Sequence, residues 1–110
     1  MKIVCVFKDI ARTSMAILGA RLKSRPFILS HLVTSRCNAD CPMCLWKGEG
    51  EGLTTGEIRS LYAQAGRLGF LSVVVWGGEP LLRQDIGEVL ECARRSGLRT
   101  TVITNGYLLP

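Results

Sequence analysis

LSVVVW, residues 71–76, is a run of six residues, apolar but for Ser72, between Gly69 and the pair Gly77-Gly78. A run this short with β-branched side chains fits a strand buried on both faces, which is the environment of a parallel sheet. Parallel strands need crossover connections, and the flanking sequence supplies them. Upstream, Thr54-Thr55-Gly56-Glu57 has capping-box spacing, and Ile58, Leu61, Tyr62, Ala65 and Leu68 follow on one helical face up to Gly69. Downstream, Asp85–Ser96 reads as a second helix with Ile86, Val89, Leu90 and Ala93 inward, Arg94 and Arg95 in its last turn, and Gly97 as its stop. FILSHLVTS (27–35) and LRTTVIT (98–104) read as the strands on either side. The order is βαβαβ, an α/β fold with parallel strands and right-handed crossovers.

In such sheets ligands collect at the carboxyl ends of the strands. Each expected strand runs at that end into distinctive residues: the first into Cys37, the second into Gly77-Gly78-Glu79-Pro80, the third into Asn105-Gly106. Trp46 and Trp76 flank these motifs and read first as packing residues. Lys47–Gly52, KGEGEG, reads as a flexible loop.

The N-terminal segment, residues 1–26, differs in kind. It carries six basic residues against Asp9 alone, which accounts for the whole net charge of +5. Few aromatics interleave with these charges, which argues against a nucleic-acid groove. Residues 10–23 predict an amphipathic helix whose stripe is Ala11, Met15, Leu18 and Leu22, stopped by Pro26. The plain expectation is a helix packed on its own domain; a membrane-surface contact of residues 10–23 and a docking face for a partner are the sharper ones. The first apolar run is interrupted by Lys8, Asp9 and Arg12, which is unlike a secretory signal, so the sequence reads as cytoplasmic. In that compartment clustered cysteines point to metal or redox chemistry.

Cys37, Cys41 and Cys44 have the spacing Cys-x3-Cys-x2-Cys. Thiolates bind zinc and iron–sulfur clusters alike, and three of them on a cubane cluster leave one iron free for a small molecule. A zinc site would need completion by His31 or a distant cysteine, yet His31 lies within a strand and reads as a buried structural residue. Cys5 and Cys92 read as ordinary thiols.

The stretch Cys37-Asn38-Ala39-Asp40-Cys41-Pro42-Met43-Cys44 resembles the cluster loop of the radical S-adenosylmethionine enzymes, and Gly77-Gly78-Glu79-Pro80 matches that family's next motif at the expected element. Thr104-Asn105-Gly106 is a companion in the branch with molybdenum-cofactor, heme and peptide-modifying enzymes. The resemblance covers roughly residues 27–107. It implies the N-terminal half of a partial (β/α)6 TIM-like barrel preceded by an N-terminal helix, with residues 27–110 as a truncated core domain. It also implies that Cys37, Cys41 and Cys44 hold a [4Fe–4S] cluster whose fourth iron binds S-adenosylmethionine. Gly77, Gly78 and Glu79 would then meet the methionine amino group, and Met43 and Asn105 would complete the cofactor contacts. Met43 stands where the family commonly has an aromatic residue. Reductive cleavage to a 5′-deoxyadenosyl radical, fed by a reduced flavodoxin- or ferredoxin-like donor, is the implied activity. The alternative is a non-enzymatic metal-binding module, an iron–sulfur electron carrier or a zinc site. The substrate is not legible.

Overall fold

The structure is a computed structural model that describes residues 2–110, with side chains from Lys8 onward. Helix α1 (Lys2–Leu22) leads into strand β1 (Ile28–Thr34), helix α2 (Thr55–Arg67), strand β2 (Ser72–Gly77), a short 3-10 turn (Pro80–Leu82), helix α3 (Ile86–Arg95) and strand β3 (Arg99–Val102). The sheet order is β1-β2-β3 and both pairings are parallel, as the apolar run required. Ser72 of β2 stands opposite Ile28 on one side and Arg99 on the other.

Each helix starts and stops for a local reason. The Thr54 hydroxyl accepts from the Glu57 amide while the Glu57 carboxylate accepts from the Thr54 amide at 2.8 Å, so the capping box is complete. Past the ends of α2 and α3 the chain reverses through Gly69 (φ 90°) and Gly97 (φ 76°), conformations that glycine adopts without a Cβ penalty. The two helices cross closely at Gly66, where a Cβ would sit 2.4 Å from the Ser96 carbonyl oxygen.

One face of the sheet is the core. Val33, Val73 and Val75 pack beneath Ile58, Tyr62 and Ala65 of α2 and Val89, Cys92 and Ala93 of α3, with Leu98 at the base. Leu68, expected on this inner face, stays exposed because it is the C-cap residue of α2, where the chain turns away. By the period-two alternation of strands, the other face carries Ile28, Ser30, Leu32, Val74, Trp76 and Ile103. Ile28 and Ile103 are exposed on it, while Trp76 stacks edge-on against Trp46 at 5.3 Å and donates to Ser30 Oγ at 2.9 Å.

Helix α1 departs from expectation twice. It begins at Lys2, not near residue 10, and the stripe Ala11, Met15, Leu18 and Leu22 points to solvent. The half-buried face is the opposite one, with Thr13, Ala16, Ile17 and Ala20, and it borders the base of the sheet near Leu71, Gly97 and Arg99. Thr13 and Ala16 are the residues turned toward the sheet, and the bulky stripe is left outside. Cys5 lies among the residues whose side chains are not described. No described helix is long and apolar enough to cross a membrane.

His31 is buried, and its Nδ1 shares a 2.8 Å hydrogen bond with the Tyr62 hydroxyl. Burial, with Arg83 adding to it, lowers the His31 pKa below 6.5, and burial pushes the Tyr62 hydroxyl up to about 12. A base whose folded pKa is depressed binds its proton more readily when unfolded. Its stabilising contribution is therefore complete above pH 6.5 and is lost as pH falls below that value. Asp85, held down to about 2 chiefly by its hydrogen bond to Arg83, adds a second loss as pH falls below 3.8. Denaturant midpoints measured against pH should fall in these two stages, and a flat profile between pH 6.5 and 3.8 would show that His31 is not held neutral. Tyr62→Phe, which strands the imidazole, should cost about 1–3 kcal/mol at neutral pH.

Candidate functional site

The first component is the loop that follows β1. Ser35 closes its neck: its amide donates to Gly50 O at 2.9 Å, its carbonyl accepts from Gly48 N at 2.8 Å, and its hydroxyl accepts from Gly50 N at 2.7 Å. The glycine-rich stretch expected to be flexible is thus pinned to the end of β1, with the Thr34 hydroxyl adding a bond to Gly50 O at 3.0 Å. Within the loop Cys37 is half-buried and Cys41 and Cys44 are exposed. The Cys44 amide donates to Cys41 O at 3.1 Å, so the last two cysteines bracket one turn. Lys47 reaches back to Asp40 at 3.0 Å, and its pKa is raised, chiefly by that hydrogen bond, with Cys37 and Cys44 contributing to the field.

Among the described residues no three His, Cys, Asp or Glu side chains already converge to metal-ligand distance. The donor set nevertheless suits a thiophilic cluster: three accessible thiols on one loop whose neck is closed, with soft sulfur ligands only. Drawing such ligands together is a cost that binding itself meets. His31 turns into the core against Tyr62, and Cys92 packs in the same core, so both stand apart from this loop.

The second component is Gly77-Gly78-Glu79. It prolongs the β1–β2 pairing past the strand ends, with Gly78 N donating to Thr34 O and Glu79 N to Arg36 O, each at 2.8 Å. A Cβ at Gly77 would lie 2.1 Å from Thr34 O, and one at Gly78 would lie 2.1 Å from Arg36 O. The glycines are therefore required by the approach of these two backbones. The consequence is positional: the motif is bonded to the residue that immediately precedes Cys37.

Glu79 is fully buried, and its carboxylate points inward. Oε1 accepts from Leu81 N at 2.9 Å and from Thr104 Oγ1 at 2.8 Å, while Oε2 accepts from Asn105 N at 2.8 Å. A carboxylate that suits a ligand's ammonium in isolation is here occupied by three protein donors. The third component, Thr104-Asn105-Gly106, is fixed by that same carboxylate, and β3 ends at Val102 and not at Thr104. Asn105 also donates through Nδ2 to Asn38 Oδ1 at 2.8 Å, joining the third loop to the cysteine loop. Met43 is 80% exposed on that loop.

Several residues that organise this edge escaped the sequence reading. Arg83, only 7% exposed, donates to Val33 O at 2.7 Å and Glu51 O at 2.8 Å and forks onto Asp85 at 2.8 and 2.7 Å. Thr55 at the start of α2 donates to the same carboxylate. Arg36 bridges Glu51 at 2.8 Å and Leu82 O at 3.2 Å. A basic and an acidic residue two apart in LRQD, directly after the glycine motif, were the available signal; nothing local marked Arg36 or Asn38.

The family profile of the radical SAM superfamily matches residues 32–110. PqqA peptide cyclase of Gluconobacter oxydans is 39% identical over 92 residues, which is 80% of this chain and 26% of that protein. A probable GTP 3′,8-cyclase of Sulfolobus acidocaldarius is 35% identical over 97 residues, 84% of this chain and 30% of that protein. The fold is also that of Streptococcus suis SuiB, solved with its precursor peptide SuiA (TM-score 0.71, 22% identity, 94% of this chain and 25% of that one). It matches SuiB bound to S-adenosylmethionine similarly (TM-score 0.70, 21% identity, 94% of this chain and 26% of that one). The chain thus spans about a quarter to a third of the length of these relatives. It belongs to the radical SAM superfamily.

The Glu79 carboxylate generates a test. Glu79→Gln keeps one acceptor oxygen but sets an amide NH2 against the Asn105 or the Leu81 and Thr104 donors. We expect a loss of about 1–3 kcal/mol in stability and faster hydrogen exchange at the freed amide. The control Glu88→Gln, on the exposed side of α3, should change neither. Unchanged stability and exchange in Glu79→Gln would mean that this carboxylate does not join the loops.

Proposed function

We propose that Cys37, Cys41 and Cys44 bind a [4Fe–4S] cluster and that this part of the protein binds S-adenosylmethionine beside it. The observation that carries the reading is the bond from Glu79 N to Arg36 O, which sets the glycine motif against the strand end leading into Cys37. When bound, such a cluster would supply the electron for reductive cleavage of S-adenosylmethionine to methionine and a 5′-deoxyadenosyl radical, which would abstract hydrogen from the substrate. The chain's own contribution is position. The Ser35 neck and the Asp40–Lys47 pair limit how far the three thiols can separate. Because the Glu79 carboxylate is engaged, the methionine ammonium is assigned to backbone carbonyl oxygens of Gly77, Gly78 and Glu79, with Glu79 acting as the residue that holds them in place. Met43, exposed on the cysteine loop, is assigned to apolar contact with the adenine, and Asn105 to closing the cofactor edge through Asn38.

In this reading residues 27–110 are the cofactor-binding part of a partial barrel, and the protein works in the cytoplasm with a reduced flavodoxin- or ferredoxin-like donor. The substrate we favour is a peptide. Its support is the 39% identity to a peptide cyclase, and a neighbour in fold is solved with a precursor peptide. The second reading is a guanine nucleotide, supported by the 35% identity to a probable GTP cyclase.

Anaerobic reconstitution separates these chemistries from a plain metal module. The parent should bind iron and sulfide, and its spectrum should change when S-adenosylmethionine is added. Ala at Cys37, Cys41 or Cys44 should abolish most bound iron, while Cys92→Ala should retain it, since Cys92 sits in the core. Full iron retention in Cys41→Ala would overturn the cluster assignment. A cluster indifferent to S-adenosylmethionine would leave an electron carrier, and stoichiometric zinc without iron would leave a structural site.

A further inference from the structure

Helix α1 has two unlike long faces. At about 100° per residue, Ala11, Met15, Leu18 and Leu22 share a stripe about 60° wide, and the docking residues Ala16 and Ala20 lie on the opposite side. The stripe is bare: Met15 is 75% exposed, Leu18 57% and Leu22 78%. It runs about 16 Å along the helix. Solvent-facing apolar residues scattered singly need no account, but an aligned row of bulky ones does.

The charges around the stripe say what covers it. Lys8 and Arg12 border one side and Arg21 the other, and Lys23 and Arg25 follow the helix end; all five are exposed. Among the described residues none of the five pairs with a carboxylate. Outside residues 1–26 the basic and acidic residues cancel, so the positive field is concentrated here. Because one side of α1 borders the sheet, an occupant reaches the stripe from one side only. A broad surface meets that condition. Cationic side chains beside an apolar row match an anionic lipid surface, where headgroups lie above and acyl chains below.

We propose that the solvent face of α1 docks the protein on anionic bilayers, with Met15, Leu18 and Leu22 entering the interface and Lys8, Arg12, Arg21, Lys23 and Arg25 meeting lipid headgroups. The attachment is peripheral, and it holds the sheet's base toward the lipid and the cysteine edge away from it. It is independent of the cofactor reading, since it needs neither cluster nor substrate.

The test is co-sedimentation of the purified protein with vesicles of phosphatidylcholine, with and without phosphatidylserine, at low and high salt. Binding should require phosphatidylserine and weaken with salt. Arg12→Ala and Lys23→Ala should each lower partitioning about fivefold, since each cation near such a surface contributes on the order of that factor. Met15→Glu with Leu18→Glu, both at exposed positions, should abolish binding while leaving the melting temperature unchanged. Failure to sediment with phosphatidylserine vesicles at low salt would overturn the proposal, as would binding that the double variant does not alter. Equal binding to pure phosphatidylcholine would remove the role of the basic residues and sink it too. If the protein is instead a dimer that the double variant dissociates, the stripe is a self-association face and the lipid assignment falls.

Discussion

The edge that carries the cysteine loop depends on a buried carboxylate. Glu79 follows β2, yet its two oxygens reach the backbone of Leu81 and the residues after β3. A carboxylate removed from water is costly unless its lone pairs are met, and here three donors meet them. That requirement makes the side chain a joint. It can be satisfied only when the turn after β2 and the loop after β3 are both in place, so it couples two segments that are 25 residues apart in the chain.

Arg83 does the same on the other side of the edge. Its guanidinium reaches the end of β1, the segment after the cysteine loop and the N-cap residue of α3, while Asp85 neutralises it and also receives Thr55 at the start of α2. Breaking such a pair leaves a charge inside with no counterpart, which is why one-sided substitutions at buried ion pairs are severe. Together Glu79 and Arg83 hold three loops that add no side chain to the buried apolar core. The thiols remain accessible because the rigidity comes from their neighbours: the Ser35 neck beneath them and the Asn38–Asn105 amide pair beside them.

Much of this was legible. The apolar run at 71–76, the capping box at Thr54 and the glycine stops follow from local rules, and the parallel sheet with both helices on one face is their consequence. The gathering of the cysteines, the glycine motif and Asn105 on one edge was legible too, because strand polarity in a parallel sheet places all loops of that kind together. One reading failed. The bulky stripe of α1 was expected to pack on its own domain, and it stands in solvent. The expectation judged the side chains by their own chemistry, while their orientation depends on which distant backbone lies within reach.

The sequence by itself determined the element order, the parallel polarity, the edge at which the cysteines, the glycine motif and Asn105 gather, and the donor set of the cysteine loop. These depend on periodicity, caps and spacing, all of which are short-range. Only the tertiary structure decided that the glycines serve backbone contact with Thr34 and Arg36, that Glu79 is a joint, that Arg83 and Asp85 brace the edge, and that α1 leaves its larger apolar side chains in solvent. The physical reason is common to all four. Hydrogen-bond satisfaction and close packing are settled between residues far apart in sequence, and no local pattern records which partner lies within 3 Å of which atom.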